Sequence, residues 1–358
     1  MIYITKPFIP PIEEYQAYLK GIWKRNWLTN NGPLVEELEK KLKEYLKVNN
    51  LVYLGNGTIA LQFAINALEL KDEIITTPFS YIATTSSIVW EGCTPKYVDI
   101  NPGSLNIDPS KIEAAITPKT SAILATHVFG NPCNIEAIDL IAQKYKLKVI
   151  YDAAHCFGTR YKGVSVFKWG DISTASFHAT KIFQTIEGGA VFSENEKLIK
   201  RVAYSRNFGH DGPAKFNGLG INGKNSEFHA AMGLANLKYI DELLAKRKQQ
   251  FLTYESEFKN YPVRTITIQN REEYNYSYYA AIFETEEIAL NIKDALERKN
   301  IYPRRYFYPS LTELDYVSGK TPISESISCR VLCLPLYHDL KSEEQKKIVE
   351  IIIKTLKG

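Results

Sequence analysis

The sequence has no apolar run long enough to cross a membrane. Its longest ones, such as Lys148–Phe157 and Ile348–Ile353, fall far short of the ~20 residues that a spanning helix needs. Met1–Ile4 is not followed by the apolar stretch and small-residue cleavage site of a secretion signal, so a cytoplasmic protein is expected. The 44 Lys and Arg residues barely outnumber the 40 Asp and Glu residues. This small excess predicts no nucleic-acid or membrane-surface partner.

Cysteine and histidine are also scarce. The five cysteines are an odd number in a long chain, which argues for buried thiols rather than a disulfide framework. The six histidines show no H-x-x-x-H pair or similar spacing. No metal site is therefore predicted.

The chain is long enough for two domains, and 45% of its 358 residues are hydrophobic. From Val52 to Val191, short β-branched runs alternate with segments of helical period, which is typical of an α/β protein with a mostly parallel sheet. The predicted strands are Glu73–Thr77, Pro95–Ile100, Ala122–Thr126, Lys148–Tyr151, Ser173–Phe177 and Gly189–Ser193. The predicted helices between them are Thr58–Leu68, Ser80–Trp90, Pro109–Ile116 and Ile135–Tyr145.

The C-terminal part predicts a second, smaller α+β domain. A long helix is expected from Glu227 to about Phe258, followed by a helix over Glu287–Lys299, a strand near Arg330–Leu334 and a last helix from Ser342. We place a large domain at residues 1–245 and a small one at 246–358.

Three segments combine a strand end with reactive or polar residues. In the first, Gly55-Asn56-Gly57-Thr58 precedes a predicted helix. Glycines allow a tight turn there, and the free N–H groups of the helix can bind a phosphate, with the Thr58 hydroxyl added. An ordinary glycine turn with Thr58 as N-cap is the alternative.

The second segment is the apolar strand that ends in Asp152. The carboxyl ends of strands in an open parallel sheet face the ligand crevice, so this carboxylate lies where a ligand binds. A protonated pyridine nitrogen would give it the partner that a buried carboxylate needs. The alternative is an aspartate that caps the following turn.

The third segment, Ser173–Lys181, is followed by Glu187-Gly188-Gly189. A strand here delivers Lys181 to the same edge of the sheet, where an amine can form an ion pair or bond to an aldehyde. By itself, such a lysine is usually a solvated turn residue. Together, the phosphate cradle, the carboxylate and the amine match the three reactive parts of pyridoxal phosphate.

Two further segments attract attention. Gly218–Gly223 satisfies the dinucleotide pattern G-x-G-x-x-G, but no buried strand precedes it, so it is interpreted as a flexible loop. The segment Tyr302–Pro309 could bind an anionic, ring-bearing substrate through its arginines and tyrosines. A surface loop with packed tyrosines is the preferred interpretation.

Over nearly its whole length the chain resembles the DegT/DnrJ/EryC1/StrS family of nucleotide-sugar aminotransferases. The matching motifs are Trp27–Pro33, Gly55–Thr58, Thr77–Tyr81, Tyr151–His155, Ser176–Lys181, Glu187–Gly189 and Ser226-Glu227. The resemblance implies a fold type I pyridoxal-phosphate-dependent transferase, with a seven-stranded, mostly parallel sheet and a homodimer with shared active sites.

The resemblance also implies a role for each matching residue. Lys181 corresponds to the lysine that carries the cofactor, Asp152 to the partner of the pyridine nitrogen, and His155 to the contact of the phenolic oxygen. The phosphate contacts correspond to Gly57, Thr58 and Ser176, the ring-stacking aromatic residue to Tyr81, and a residue crossing from the other subunit to Lys224, with Asn222 as the alternative.

Some positions depart from the family pattern. Ile186 precedes Glu187 where glycine is common, and Asn225 and His229 stand where Met and Gln are frequent. The motifs look most like the branch that aminates C4 of dTDP-4-keto-6-deoxy-D-glucose with L-glutamate, for surface polysaccharides such as O-antigen. Amination at C3, a UDP-sugar substrate and the dehydratase branch, which has histidine in place of the lysine, are the alternatives.

Overall fold

The computed structural model describes all residues from Met1 to Gly358. Its strands are β1 (Ile2–Tyr3), β2 (Leu51–Leu54), β3 (Glu73–Thr76), β4 (Thr94–Tyr97), β5 (Thr120–Thr126), β6 (Lys148–Asp152), β7 (Arg160–Tyr161), β8 (Val164–Ser165), β9 (Ile172–Ser176), β10 (Gly189–Phe192), β11 (Tyr279–Ile282), β12 (Ile301–Tyr302) and β13 (Val331–Leu334). Its helices are α1 (Ile12–Arg25), α2 (Pro33–Leu46), α3 (Gly57–Ala67), α4 (Ile82–Trp90), α5 (Ile112–Ala115), α6 (Ile135–Tyr145), α7 (Glu196–Ser205), α8 (Glu227–Leu237), α9 (Ile240–Phe258), α10 (Glu286–Glu297), α11 (Pro322–Arg330) and α12 (Ser342–Lys357).

The central sheet has seven strands in the order β2-β10-β9-β6-β5-β3-β4. Only β10 runs antiparallel to its neighbours β2 and β9, and the other pairs are parallel. The predicted α/β architecture with a mostly parallel seven-stranded sheet is confirmed. As a result, the carboxyl ends of β2, β3, β5, β6 and β9 meet at one edge of the sheet.

Both faces of this sheet are buried, because successive side chains of a strand point to opposite faces. Ile123 and Val149 pack in an apolar cluster that includes residues of α2, α6 and α8. Their neighbours Leu124 and Ile150 pack in a second cluster with residues of α3 and α7. Burial on both sides explains why the strands read as continuous apolar runs.

The C-terminal part forms small sheets of its own. Strands β11 and β13 pair antiparallel, and β12 pairs in parallel with β1 from the N-terminus. A third apolar cluster joins this part to Phe79 and Phe129, which lie near the ends of β3 and β5. The boundary placed between residues 245 and 246 falls inside α9 and stays a prediction.

The helical stretch expected over Glu227–Phe258 is confirmed, but it consists of two helices, α8 and α9. Tyr239 lies between them with φ −106° and ψ −2°, which depart from the mean α-helical values. Helix α8 packs against α1 and α2, whereas α9 packs against α12. The apolar period continues across the break, so periodicity alone does not reveal it.

Other helices differ less from expectation. The segment Pro109–Ile116 forms a 3-10 turn followed by the short α5. Helices α1, α2 and α7 are not among the predicted elements, although Leu34, Leu38, Leu42 and Leu46 recur every four residues in α2 and are all buried. None of the helices combines the length and apolar character of a membrane-spanning segment.

Candidate active site

A cavity of about 260 Å³ opens at the carboxyl ends of the parallel strands. Seven of the eight predicted site residues line it: Gly57, Thr58, Tyr81, Asp152, His155, Ser176 and Lys181. They come from four separate segments of the chain, and the parallel strand order brings those segments to one edge. The predicted crevice at the carboxyl ends of the strands therefore exists.

The N-terminus of α3 forms one wall of the cavity. Asn56 is its N-cap, and the Asn56 side chain accepts a hydrogen bond from the Ile59 amide at 2.8 Å. The predicted alternative of Thr58 as N-cap is therefore wrong. The first N–H groups of α3 have no partner within the helix. A Cβ on residue 57 would lie 2.8 Å from the Ser176 Cβ, so glycine keeps the approach to these N–H groups open.

Asp152 is buried at the end of β6. Its Oδ2 accepts a hydrogen bond from the Thr84 hydroxyl at 2.7 Å, and its Oδ1 accepts one from the Ala154 amide at 3.1 Å. Removal from water raises the pKa of this carboxyl, whereas both hydrogen bonds and the charge of Lys181 act in the opposite direction. The carboxylate forms no ion pair of its own and is suited to a cationic ligand atom.

Lys181 follows β9 and faces the same cavity. Removal from water lowers its pKa to about 8, although Asp152 and Cys156 act in the opposite direction. About a tenth of the amine is therefore neutral at pH 7, far more than for a solvated lysine, and the neutral amine is the nucleophilic form. Lys181 is thus not the solvated turn residue of the alternative interpretation.

His155 is held among aromatic rings. Its ring centroid lies 4.8 Å from that of Tyr278, and its plane is within 6° of the planes of Phe129 and Phe307. Burial lowers its pKa well below the ordinary value, and the charge of Lys181 acts in the same direction. The imidazole is neutral, and its buried Nδ1 has no hydrogen-bond partner within the chain.

Lys224 is the one predicted site residue that does not line this cavity. Its Nζ lies 4.7 Å above the centroid of the Phe208 ring, beside an open surface pocket that also includes Asn30 and His210. Asn222, the alternative, pairs with Asn207 in an isolated bridge and is not in the cavity wall either.

Two groups of cavity residues are not among the eight predicted site residues, although the sequence analysis considered substrate binding for the segment that contains the first group. Arg304, Tyr306 and Phe307 lie in the wall, so the interpretation of Tyr302–Pro309 as a surface loop is wrong for these three residues. The Arg304 backbone pairs with Cys333 of β13, and this tertiary contact carries the segment to the cavity. The other group consists of two hydroxyl residues, Ser80 in the loop between β3 and α4, within the motif Thr77–Tyr81, and Thr126 at the end of β5.

Ile186 stands where the family commonly has glycine, and the backbone conformation at this position explains why glycine is common there. Ile186 has φ 67°, in the left-handed region that glycine adopts readily and β-branched residues rarely do. Glycine, which is common at this position in the family that the chain resembles, fits that conformation directly.

The segment Gly218–Gly223, which matches the dinucleotide pattern, lies outside any strand or helix, as predicted.

The cavity fits pyridoxal phosphate on three independent features. The N-terminus of α3 suits a phosphate, the buried Asp152 suits a protonated ring nitrogen, and the partly neutral Lys181 suits an aldehyde. All three line one cavity. The unpartnered Nδ1 of His155 adds a polar atom in the same wall that is available to a ligand.

Comparison with known proteins gives consistent matches. Residues 11–353 match the DegT/DnrJ/EryC1/StrS aminotransferase family. The chain is 42% identical to a dTDP-4-amino-4,6-dideoxy-D-glucose transaminase of Shigella dysenteriae, across 99% of this chain and 98% of the relative. It is 41% identical to an Escherichia coli protein of the same name, across 98% and 97%. The crystal structure of DesI, analysed with its TDP-sugar product, superimposes with a TM-score of 0.94 at 29% identity, covering 100% of this chain and 93% of DesI.

Proposed function

Because this chain belongs to the DegT/DnrJ/EryC1/StrS aminotransferase family and is a pyridoxal-phosphate-dependent aminotransferase, we propose that it moves the amino group of L-glutamate to C4 of dTDP-4-keto-6-deoxy-D-glucose. The product is dTDP-4-amino-4,6-dideoxy-D-glucose. The observation that carries the proposal is the cavity that unites Asp152, Lys181 and the N-terminus of α3. The choice of sugar is supported by the names of the two relatives that are 42% and 41% identical.

The cofactor-binding roles follow from the cavity wall. Gly57, Thr58 and Ser176 would hold the phosphate, and Tyr81, which lies at the start of α4, would stack on the ring. His155 would contact the phenolic oxygen, because its neutral ring faces the cavity next to Lys181. With these contacts, the residues would hold the cofactor beside the Lys181 amine.

The bound cofactor supplies an aldehyde and an electron-withdrawing pyridine ring that takes up the electron pair of the broken Cα–H bond. Asp152 would hold the proton on the ring nitrogen, because the carboxylate accepts it as a hydrogen-bonded ion pair. Lys181, once its Nζ is displaced by the amino donor, would remove the α-proton of L-glutamate and later return a proton at C4 of the sugar. The surrounding aromatic rings limit the access of water.

Arg304 supports an anionic substrate. Its guanidinium lies 4.6 Å from the centroid of the Tyr306 ring and forms no ion pair with any carboxylate of the chain. Both proposed substrates are anions, since L-glutamate carries carboxylates and the nucleotide sugar carries a diphosphate. We assign Arg304 to anion binding in this cavity.

The experiment that tests the proposed function is a substrate panel. The enzyme is incubated with L-glutamate and either 4-keto or 3-keto sugars linked to dTDP, UDP or GDP, and the products are identified by NMR. Amination of dTDP-4-keto-6-deoxy-D-glucose at C4 is expected, with no product from the Lys181→Ala control. Amination at C3 only, or of a UDP sugar only, would replace the proposed substrate by the corresponding alternative.

We also propose a cytoplasmic homodimer that supplies surface polysaccharide synthesis, including O-antigen. The dimer is supported by large exposed apolar side chains, among them Trp90 and Leu219 at 80% exposure each and Trp23 at 68%. A symmetric dimer would bury exposed side chains of this kind against a second copy.

A further inference from the structure

Three buried hydroxyl groups form a chain of hydrogen bonds that ends on Asp152. Thr84 donates to Asp152 Oδ2 at 2.7 Å, Ser80 Oγ lies 2.7 Å from Thr84 Oγ1, and Thr126 Oγ1 lies 3.0 Å from Ser80 Oγ. All four residues are at most 5% exposed. They belong to different parts of the sheet edge: β6, β5, α4 and the loop before α4.

The ionised carboxylate sets the direction of every bond in this chain. A carboxylate can only accept, so Thr84 must donate its single hydroxyl hydrogen to Asp152. The Thr84 oxygen must then accept from Ser80, and Ser80 must accept from Thr126. Each of the three hydrogens has an acceptor in this arrangement.

A proton on Asp152 Oδ2 would reverse the chain. Thr84 would then donate to Ser80, and Ser80 would donate to Thr126, which has no other hydroxyl or carboxylate partner for its own hydrogen. A proton on Oδ1 would instead compete with the Ala154 amide, which donates there at 3.1 Å. The Oδ2 form therefore keeps three hydrogen bonds but leaves the Thr126 hydrogen without an acceptor among these residues, and the Oδ1 form loses the bond from the Ala154 amide; an unpaired polar group at such a buried place costs free energy.

We propose that Thr84, supported by Ser80 and Thr126, is a positioning residue that keeps Asp152 ionised and thereby keeps the ring nitrogen of the bound cofactor protonated. The inference rests on the proposed role of Asp152. It assigns a function to hydroxyl groups that do not themselves contact the reacting atoms. Burial acts in the opposite direction on Asp152, so a loss of donors shifts the balance toward the neutral carboxyl.

The residue next to Thr84 on the same helix provides a matched control. Thr85 is also fully buried in α4, but its hydroxyl lies 3.0 Å from the Tyr97 hydroxyl and has no contact with Asp152. Thr84→Val removes the donor at nearly constant volume, Thr84→Ser retains it, and Thr85→Val removes the neighbouring hydroxyl. Ser80→Ala removes the hydroxyl that is hydrogen-bonded to Thr84, and thus interrupts the hydrogen-bond network one residue further from the carboxylate.

The test has two measurements on holoprotein and reconstituted apoprotein. One is the ¹⁵N resonance of ring-labelled pyridoxal phosphate bound to each variant, which reports whether the ring nitrogen is protonated. The other is the dissociation constant of the cofactor by equilibrium dialysis. Thr84→Val is expected to shift the resonance toward the unprotonated form and to weaken binding by about tenfold, the effect of one lost hydrogen bond to a charged group.

Thr84→Ser should restore the wild-type resonance, Thr85→Val should match it, and Ser80→Ala should fall between. Unchanged resonances in Thr84→Val and Ser80→Ala, with a protonated nitrogen in the wild type, would overturn the inference and leave the proposed function intact. An unprotonated nitrogen in the wild type would refute the role of Asp152 and the inference with it. Should Thr84→Val fail to fold, the ¹⁵N resonance of Ser80→Ala is compared with that of Thr85→Val, and the same outcomes apply.

Discussion

The proposed attachment of the cofactor to Lys181 depends on the protonation state of the amine. Lys181 lies in a partly buried wall, where loss of water favours its neutral form while the Asp152 carboxylate favours the charged one. Burial lowers the pKa of Lys181 and the Asp152 charge raises it, and the net result is a pKa of about 8. A solvated lysine at this place would be almost wholly protonated at neutral pH and a poor nucleophile.

Competitive acetylation of the apoprotein, followed by mass spectrometry, measures this balance directly. The reactivity of Lys181 should rise with pH around a midpoint near 8, because only the neutral amine reacts, and the exposed Lys346 serves as the internal reference. Asp152→Asn should move the midpoint to lower pH, since it removes the charge that favours the ammonium form. A Lys181 midpoint equal to that of Lys346 would contradict the burial argument.

Helix α2 lacks a cap of its own. Its N-cap residue is Gly32, which has no side chain, and the buried Glu227 of α8 takes over this function. The Glu227 carboxylate accepts hydrogen bonds from the Leu34 amide at 3.0 and 3.1 Å and from the Val35 amide at 3.0 Å. A Cβ on residue 32 would lie 2.6 Å from Glu227 Cδ, which explains the glycine. Two motifs almost 200 residues apart in the chain, Trp27–Pro33 and Ser226-Glu227, are therefore one structural feature.

Glu227→Gln should destabilise the protein by about 2–3 kcal/mol, because a buried charged acceptor is replaced by an amide that turns a donor toward backbone N–H groups. The measurement is the urea midpoint at unchanged slope. Glu242→Gln is the control, since its partner Lys246 lies on the exposed surface of α9, and a change below about 0.5 kcal/mol is expected there. Equal urea midpoints for the two variants would show that the Glu227 carboxylate does not stabilise the N-terminus of α2.

The assembly of two chains would explain the position of Lys224. This side chain lies outside the cavity of its own chain and packs over Phe208, which is 50% exposed. A residue that serves a phosphate site in a partner subunit has to lie at the surface of its own subunit. Because a two-fold interface is symmetric, each chain would contribute such a residue to the other.

Hybrid dimers of Lys181→Ala and Lys224→Ala chains, purified with two different affinity tags, test this arrangement. If Lys224 serves the partner's cofactor, one of the two sites in the hybrid contains both lysines, and about half of the wild-type activity is expected. If Lys224 serves its own chain, neither site is complete and the hybrid is as inactive as the parents. A monomer in sedimentation experiments would refute the dimer itself.

Much of the site follows from local order along the chain. Asp152 is the last residue of β6, Lys181 lies in the turn that follows β9, and Gly57 and Thr58 begin the helix α3 after β2. Since parallel strands end at one edge, such residues meet wherever the sheet order places neighbouring strands. Periodicity and strand propensity predicted this architecture, and the residues at strand ends and helix starts predicted Thr58, Asp152 and Lys181 as site residues. The resemblance to a known family supplied the others, and seven of the eight predicted residues line the cavity.

The contacts that the sequence did not predict arise from packing between elements that are distant along the chain. The bond from Thr84 to Asp152 joins residues 68 positions apart, and Arg304 reaches the cavity only because its backbone pairs with β13. The break at Tyr239 and the capping of α2 by Glu227 likewise depend on which helices lie side by side. Hydrophobic period specifies that an element forms and which face it buries, but the partner of a hydroxyl or carboxylate is decided when the elements pack, because such bonds require a particular distance and direction between groups far apart in the chain.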